Sequence, residues 1–221
     1  MKADQRENLR YENGVRCEIN SEEIILLDFL DKYSKSNFRL LDVGCGTGDI
    51  SLEIEKKGLK VTGIDFSPIA VDIAKNNGLN CILADVDEGI PFEDNSFDLV
   101  WAGDLIEHVF DPIFVFKEMS RVIFPNGYLF ITVPNDLHIV NRLRVLFGKS
   151  YQEPVLKKYG QYKHHTFFSK ALLKYMLKIN SFEIKEMVYK CRIPYIKNKF
   201  ILRNIGSSLI TDTMILVAKR K

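Results

Sequence analysis

The sequence predicts an α/β protein in which helices cover both faces of a mostly parallel sheet. Three observations predict this fold: short apolar runs alternate with amphipathic stretches, glycines end several of these runs, and helix-capping residues stand at the starts of the amphipathic stretches. The length of 221 residues, with 46% hydrophobic and 27% charged residues, is typical of one globular domain over residues 1–221.

The first half of the chain contains two strand–helix units after an opening helix. Ser21 begins the helical pattern SEEIILLDFLDKYSK, and the apolar run FRLLDVG then predicts a buried parallel strand. The helix DISLEIEKKG follows and ends at Gly58. In the second unit the strand LKVTGID precedes the helix SPIAVDIAKNNG, where Ser67 is a natural N-cap, Pro68 occupies the first helical position and Gly78 ends the helix.

The second half continues the alternation and then changes character. NCILAD, SFDLVWAGD and NGYLFITVPN predict three more strands, with a helix around Pro112–Ile123. Residues 135–165 are basic and aromatic, and we expect them to form an insertion over the carboxyl edge of the sheet. After the helix KALLKYMLKIN, capped by Ser169, the segments FEIKEMVYK and TDTMILVAKRK predict a closing antiparallel pair. The sequence pattern assigns no helix or strand to residues 191–210.

Charge and cysteine usage narrow the classes of protein that fit this sequence. Residues 1–110 hold 11 Lys and Arg against 22 Asp and Glu, and residues 111–221 hold 20 against 7, so the halves carry −11 and +13. Either the basic half meets an anionic partner, or the two halves neutralise each other within one fold. The four cysteines form no CxxC pair, and the polar start of the chain has no apolar leader segment. We therefore expect a cytoplasmic protein with reduced thiols, without a signal peptide or a zinc site.

The segment LLDVGCGTGDIS carries the strongest chemical signal. A buried strand runs into Gly44, Gly46 and Gly48, which allow a sharp turn and a close approach of backbone to a ligand at a helix N-terminus. The spacing is GxGxG and not the GxGxxG of dinucleotide-binding loops. Asp42 at the strand end is unfavourable for a pyrophosphate but favourable near a cation such as a sulfonium or an ammonium group.

Two further carboxylates follow the next two strands. Asp65 ends the second strand, where it can accept hydrogen bonds from ribose hydroxyls or, alternatively, cap the helix that begins near Ser67. Asp85 follows the third strand, where it can accept from an exocyclic adenine amine or act as a turn residue.

These motifs resemble those of the class I S-adenosylmethionine (SAM)-dependent methyltransferases. The resemblance rests on LLDVGCGTG, VTGID, ILADVDEGIPFEDNSFDLVWAGDLIEHVFDP and EMSRVIFPNGYLFITVPN, and it is strongest over residues 38–135. The sequence is most similar to the small-molecule branch that includes ubiquinone and menaquinone biosynthesis methyltransferases. The resemblance implies a Rossmann-like, seven-stranded sheet whose last strand is antiparallel.

The resemblance also implies how the cofactor SAM, and its product S-adenosylhomocysteine, would be held. The three glycines would approach the methionine part, Asp42 would support the loop and the amino group, and Asp65 would bind the ribose. The remaining implied cofactor contacts are Phe66, Asp85, Val86 and Ala102. One departure is Asn126 within Pro-Asn-Gly, where the family has Pro-Gly-Gly; Asn tolerates positive φ, so we expect the turn to persist.

Methyl transfer needs positioning of the acceptor and, for an oxygen or amine acceptor, a proton acceptor. The candidate catalytic residues are His108, His164 and His165, since histidine accepts protons near neutral pH; each could instead have a structural role. Glu107 could orient a base or bind a cation, although no spacing in the sequence predicts a metal site.

The acceptor side is expected to include the insertion at residues 135–165, acting as a lid. Residues 135–178 hold nine basic and two acidic residues, and LHIVNRLRVLFG is amphipathic. Packing of this helix on the domain is the favoured interpretation, and an anionic-acceptor pocket or a membrane contact are the alternatives. The leading hypothesis is methylation of a small-molecule or lipid-linked acceptor at O, C or N. The other hypotheses are a non-catalytic SAM-binding regulator, an NAD-type oxidoreductase, which the loop spacing disfavours, and an RNA or protein methyltransferase.

Overall fold

The computed structural model describes residues 21–150, 152–153, 156–157, 164–191, 200–203 and 211–221. The helices of these residues are α1 (Ser21–Tyr33), α2 (Asp49–Glu55), α3 (Pro68–Asn76), α4 (Pro112–Val122), α5 (Ile139–Leu146) and α6 (Lys170–Ile179). The strands are β1 (Arg39–Val43), β2 (Lys60–Asp65), β3 (Cys81–Leu83), β4 (Phe97–Gly103), β5 (Ile123–Pro134), β6 (Phe182–Cys191), β7 (Phe200–Arg203) and β8 (Thr213–Arg220).

The strands form one sheet in the order β3-β2-β1-β4-β5-β8-β6-β7. The first five are mutually parallel, and β8 lies antiparallel between β5 and β6, with pairs from Tyr128↔Lys219 to Pro134↔Thr213. The predicted Rossmann-like sheet with an antiparallel last strand is thereby confirmed. Within the described residues an eighth, four-residue strand, β7, pairs with β6 at the sheet edge. It lies in the span 191–210, to which the sequence pattern assigned no element.

Helices cover both faces of the sheet, and each covered face has its own apolar core. On one face Phe116 of α4 and Leu173 of α6 are fully buried with sheet residues such as Val100. On the other face Leu26 of α1 and Ile54 of α2 are fully buried. Apolar side chains point to both sides of the central strands, which explains why these strands read as continuous apolar runs.

Local turn chemistry agrees with the sequence at the predicted positions. Ser67 Oγ accepts a hydrogen bond from the backbone N–H of Ala70 at 3.3 Å, and Pro68 is the first residue of α3. Asn126 has φ of 69°, so it occupies the left-handed conformation that the sequence required of it. The departure from the family's Pro-Gly-Gly therefore leaves the start of β5 intact.

Helix α5 departs from the favoured interpretation of an amphipathic helix packed on the domain. None of its residues is buried, and its large apolar side chains are exposed, including Val140, Leu143 and Leu146. Its less exposed residues are polar: Asn141 Nδ2 donates to the Asp136 carbonyl at 3.0 Å. The prediction of packing is thus wrong, because no residue of the helix is buried and its apolar side chains are exposed. In the described part of the chain, no helix, α5 included, combines the length and apolarity needed to cross a bilayer.

Candidate functional site

The glycine loop lies between β1 and α2 and uses conformations that favour glycine. Gly44, Gly46 and Gly48 have φ of 78°, 55° and 81°. The space around the loop is also restricted, since a Cβ on Gly48 would lie 2.9 Å from Leu79 Cδ2. The backbone N–H groups of Gly44 and Cys45 both donate to the Ile64 carbonyl, at 2.8 and 3.1 Å, which holds the loop against the end of β2.

Asp65 connects the glycine loop to the start of α3. Its Oδ2 accepts from the Gly46 N–H and its Oδ1 accepts from the Ser67 N–H, both at 2.9 Å. The side chain is buried at the carboxyl end of β2, beside the glycine loop. Because each carboxylate oxygen has two lone pairs, ribose binding and this structural role can coexist.

Asp42 lies beneath the loop, at the end of β1. It is buried, and its Oδ2 accepts a 2.5 Å hydrogen bond from Ser51 Oγ in α2. Burial raises the pKa of this carboxyl to about 7, and the Ser51 hydrogen bond acts in the opposite direction. Asp42 therefore joins β1 to α2 and supports the loop from below; its contact with the cofactor amino group stays a prediction.

The ends of β2 and β3 expose apolar surface next to carboxylates. Phe66 and Leu83 are 42% and 53% exposed, and Leu83 is the register partner of Asp65 in the parallel pair. Asp85 is exposed, and its Oδ1 accepts from the Asp87 N–H at 3.0 Å, which is the turn role weighed for it. Val86 is buried beside it. An apolar surface bordered by hydrogen-bond acceptors fits an adenosine.

The end of β4 faces the same crevice. Ala102 is fully buried, so its side chain packs in the sheet core and its predicted cofactor contact remains untested. Asp104 has φ of 47° and is fixed by Thr132, whose Oγ1 donates to Asp104 Oδ1 and accepts from its N–H, both at 2.9 Å. This exchange between β4 and β5 orients the chain that continues into residues 105–111.

An acid–histidine cluster lies directly after β4 and consists of Glu107, His108 and His164. One potential ligand atom from each residue lies within 4.8 Å of the others, a separation at which three groups can bind one cation. The His108 and His164 rings meet edge to face at 4.9 Å, and His108 Nε2 is 3.9 Å from Glu107 Oε1. The sequence positions are far apart, so spacing alone did not predict the cluster.

The carboxyl of Glu107 is the unusual group of this cluster. Its side chain is buried, and Oε2 makes no hydrogen bond to any described residue. Burial raises its pKa well above the usual range, and the neighbouring Asp104 raises it further. Burial also lowers the pKa of His164 to about 4, with the charges of His108 and His165 contributing. A buried polar group without a partner is costly unless it serves a ligand or a reaction.

Backbone hydrogen bonds bring the later histidines to β4. The N–H groups of His165 and Thr166 donate to the Glu107 carbonyl at 2.7 and 3.3 Å. The His165 ring, however, stacks on Phe110 at 4.7 Å and is not part of the acid–histidine cluster. The structure therefore brings His108 and His164 together and separates His165 from them.

Asp136 fixes the same segment from the other side and was missed by sequence reasoning. Its Oδ2 accepts from the Phe168 N–H at 2.9 Å, and its own N–H donates to the Phe168 carbonyl at 3.1 Å. Burial raises the pKa of Asp136 to about 6. The only available signal was an Asp just after an apolar strand, which also describes many turn residues.

Comparison with known proteins supports the sequence resemblance. A family described as "Methyltransferase domain" matches residues 41–131, which include the glycine loop, Asp65 and the acid residue Glu107. The chain is 28% identical over 170 residues to the ubiquinone biosynthesis O-methyltransferase of Xanthomonas oryzae pv. oryzae (strain PXO99A), covering 74% of this chain and 70% of that protein.

Solved structures share the fold at lower identity. A SAM-dependent methyltransferase of Thermotoga maritima, described as a possible histamine N-methyltransferase, has a TM-score of 0.70 and 22% identity, with 90% of this chain and 88% of that chain covered. The [4+2]-cyclase SpnF has a TM-score of 0.63 and 18% identity, with 90% and 80% covered. The fold is therefore shared by proteins of different named activities.

The described residues fit SAM: the apolar and acidic surface at the ends of β2 and β3 suits an adenosine, and the glycine loop allows close approach of backbone to a ligand. The individual contacts of these residues with SAM stay predictions. The glycine loop, the strand-end carboxylates, the sheet order and the matched family agree with one another. The matched methyltransferase domain and the similar O-methyltransferase identify this chain as a SAM-dependent methyltransferase with S-adenosylmethionine as its cofactor, and the solved structures show that it shares their fold.

Proposed function

We propose that this methyltransferase acts on a hydroxyl group of a small-molecule acceptor, with the acid–histidine cluster receiving the hydroxyl proton. The observation that carries the proposal is the juxtaposition of His108, His164 and the buried Glu107 at the end of β4. This end of β4 lies at the carboxyl edge of the sheet, where ligands of open α/β folds bind.

The cofactor, when bound, supplies an electrophilic methyl group and leaves as a neutral thioether. The chain's own residues would then have two tasks: positioning the acceptor oxygen and receiving its proton. Positioning in favourable intramolecular reactions lowers barriers by about 7–11 kcal/mol, and a placed base adds a factor of about 10²–10⁴ in rate.

His108 is the proposed proton acceptor. His164, which its pKa of about 4 keeps neutral, and Glu107 are the proposed positioning residues. His108 Nε2 lies 3.9 Å from Glu107 Oε1, so the Glu107 carboxyl, once ionised, would stabilise an imidazolium formed on His108, and the His164 ring in edge-to-face contact would hold the His108 ring in place. Alternatively, the three groups could together bind a cation, which would lower the pKa of the acceptor hydroxyl. His165, stacked on Phe110, is the weakest of the three histidine candidates.

The acceptor class is argued from the relatives and from the charge of the lid. The similar Xanthomonas protein is named for O-methylation in ubiquinone biosynthesis, so a phenolic or lipid-linked hydroxyl is the first class to test. Residues 135–165, with Arg142 and Arg144 on α5, are the proposed acceptor-side lid within a single domain. Their positive charge favours an anionic acceptor or an anionic surface near it.

The test uses the full chain with SAM and a panel of phenols, catechols and hydroxyquinones, and it identifies products by mass. We expect a methyl ether from at least one hydroxylated acceptor. His108→Gln and His164→Gln should each lower kcat/KM about 10²-fold or more, with the dissociation constant of SAM unchanged by calorimetry. His138→Gln, half-buried and outside the cluster, is the matched control.

Addition of EDTA and of Mg²⁺ separates the two roles of the cluster. Loss of turnover in EDTA that Mg²⁺ restores favours the shared cation, and unchanged turnover favours direct proton transfer. Methylation at nitrogen or carbon with full activity in both histidine variants would contradict the proposal. Tight SAM binding without turnover on any acceptor favours the regulator hypothesis, and salt-dependent turnover on RNA favours the nucleic-acid hypothesis.

A cytoplasmic location is part of the same proposal. Cys45 and Cys81 are free thiols that share a hydrogen bond, with their sulfurs 3.3 Å apart, and a reducing compartment keeps such a pair reduced. Mass measurement of the protein after alkylation of lysate from its native cells tests this, because an intramolecular disulfide would block labelling.

A further inference from the structure

Helix α5 turns a continuous apolar face to solvent. Its members are Ile139, Val140, Leu143 and Leu146 of the helix and Phe147 at its C-cap, which together we call the α5 face. Leu146 and Phe147 are 75% and 73% exposed, although large apolar side chains usually pack on the domain. At roughly 100° per residue the five side chains fall within an arc of about 120°, so they form one surface and not scattered contacts.

Basic residues border this face on both sides. On the same helical projection, Arg142 lies about 40° before one edge of the arc and Arg144 about 40° beyond the other. Among the described residues from 137 to 157, Glu153 pairs with Arg144 at 3.3 Å and with Lys157 at 2.6 Å, and with Arg142 and Lys149 included the net charge of this stretch is still positive. An apolar face bordered by cationic side chains is the arrangement of helices that lie in the plane of a membrane interface.

The charge pattern favours an anionic lipid surface over a second copy of the chain. A twofold contact would place the same face against itself and bring Arg142 and Arg144 of each copy towards those of the other. The basic residues would repel one another there, whereas phosphates of an anionic bilayer would attract them.

The position of the helix connects this face with the acceptor side. α5 follows β5 directly through Asp136, whose hydrogen bonds with Phe168 hold the segment that carries His164. Phe110, 77% exposed, lies two residues after His108 at the same edge of the sheet. A membrane in contact with α5 would therefore lie on the acceptor side of the sheet.

We infer that the α5 face docks this methyltransferase on an anionic lipid bilayer, with Leu146 and Phe147 inserted among the lipids and Arg142 near the phosphates. The inference concerns a surface and needs no acceptor, so it can hold whichever acceptor is methylated. It also goes beyond the proposed chemistry, because it identifies the residues through which the protein would reach a lipid-dissolved substrate.

The test is co-sedimentation of the full chain with vesicles of phosphatidylcholine alone or with about 30% phosphatidylglycerol, which gives the vesicles a negative surface. We expect binding to the mixed vesicles that weakens with salt. The pair Leu146→Gln and Phe147→Gln should lower the partition coefficient about tenfold or more, because both side chains would leave the lipid. Arg142→Gln should lower it about fivefold.

Matched controls occupy other surfaces. The pair Ile24→Gln and Ile179→Gln removes two exposed apolar side chains from α1 and α6, and Lys60→Gln removes an exposed charge at the opposite end of the sheet. These variants should bind vesicles like the wild-type chain. Thermal unfolding and SAM affinity should be unchanged in all variants, since none of the substituted residues is buried.

Three results would overturn the inference. The first is absence of binding to mixed vesicles at low salt. The second is a dimer, seen by sedimentation velocity, that the Leu146 and Phe147 substitutions dissociate while vesicle binding stays the same. The third is binding to RNA that depends on Arg142 while neither apolar substitution affects binding to vesicles.

Discussion

Replacing Asp65 by Asn tests how the glycine loop is held. The carboxylate accepts one hydrogen bond from the Gly46 N–H and one from the Ser67 N–H, both at 2.9 Å, and an amide offers only one acceptor atom in that geometry. One backbone donor would then face an NH₂ group. Because a hydrogen bond to a charged group contributes about 1.5–3 kcal/mol, we expect the free energy of unfolding to fall by about 2–3 kcal/mol.

The same substitution should weaken SAM binding. If the new amide turns its NH₂ group towards Gly46, the Gly46 N–H loses its hydrogen-bond acceptor, and in either orientation the ribose hydroxyls lose an ionised acceptor. We therefore expect the dissociation constant of SAM to rise about 10- to 100-fold. Urea unfolding and isothermal titration measure the two effects. Asp85→Asn is the control for stability, since Asp85 is exposed and bonds only within its own turn. An Asp65→Asn protein with wild-type stability and SAM affinity would refute the role of this carboxylate.

Three other substitutions test the packing around the loop. Gly63→Ala places a Cβ 2.6 Å from Cys45 Sγ, so it should lower the free energy of unfolding by about 1–3 kcal/mol. Adding Cys45→Ala should restore part of this loss in a double-mutant cycle, and additive effects of the two substitutions would argue against the contact. The pKa of Asp42 is about 7 in the folded state, above its value in the unfolded chain, so between these two values the folded state binds more protons. The free energy of unfolding should therefore fall as the pH rises towards 7 and level off above it. In Asp42→Asn this slope, measured by urea unfolding at several pH values, should be reduced; an equally steep slope would assign it to other groups. Ser67→Ala removes the N-cap acceptor of Ala70 and should cost about 1 kcal/mol in urea unfolding, whereas Ser67→Thr should keep most of the stability.

The glycine loop and its carboxylates could be predicted because their determinants are local. Gly44, Gly46 and Gly48 follow a buried strand within a few residues, and Asp65 ends the next one, so parallel pairing of β1 with β2 necessarily brings them together. The N-cap at Ser67 and the left-handed conformation of Asn126 could be predicted for the same reason. Each depended on the conformational preference of one residue type and not on distant contacts.

The acid–histidine cluster and the orientation of α5 could not be predicted in this way. His164 meets Glu107 and His108 through contacts between distant segments, among them the hydrogen bonds from the N–H groups of residues 165 and 166 to the Glu107 carbonyl. The extra strand β7 depends on pairing with β6, which a short run in an unassigned segment does not reveal. The amphipathic pattern of α5 located its apolar face but not the side on which the domain lies.

By itself the sequence determined the sheet, the cofactor loop and the acidic strand ends, because backbone periodicity, glycine conformation and capping act over a few residues. Only the tertiary structure decided which groups share the acceptor side, that Glu107 is buried, and that α5 faces outward. These features arise from hydrogen bonds and burial between segments that are distant in the chain, and residue spacing carries no information about such contacts.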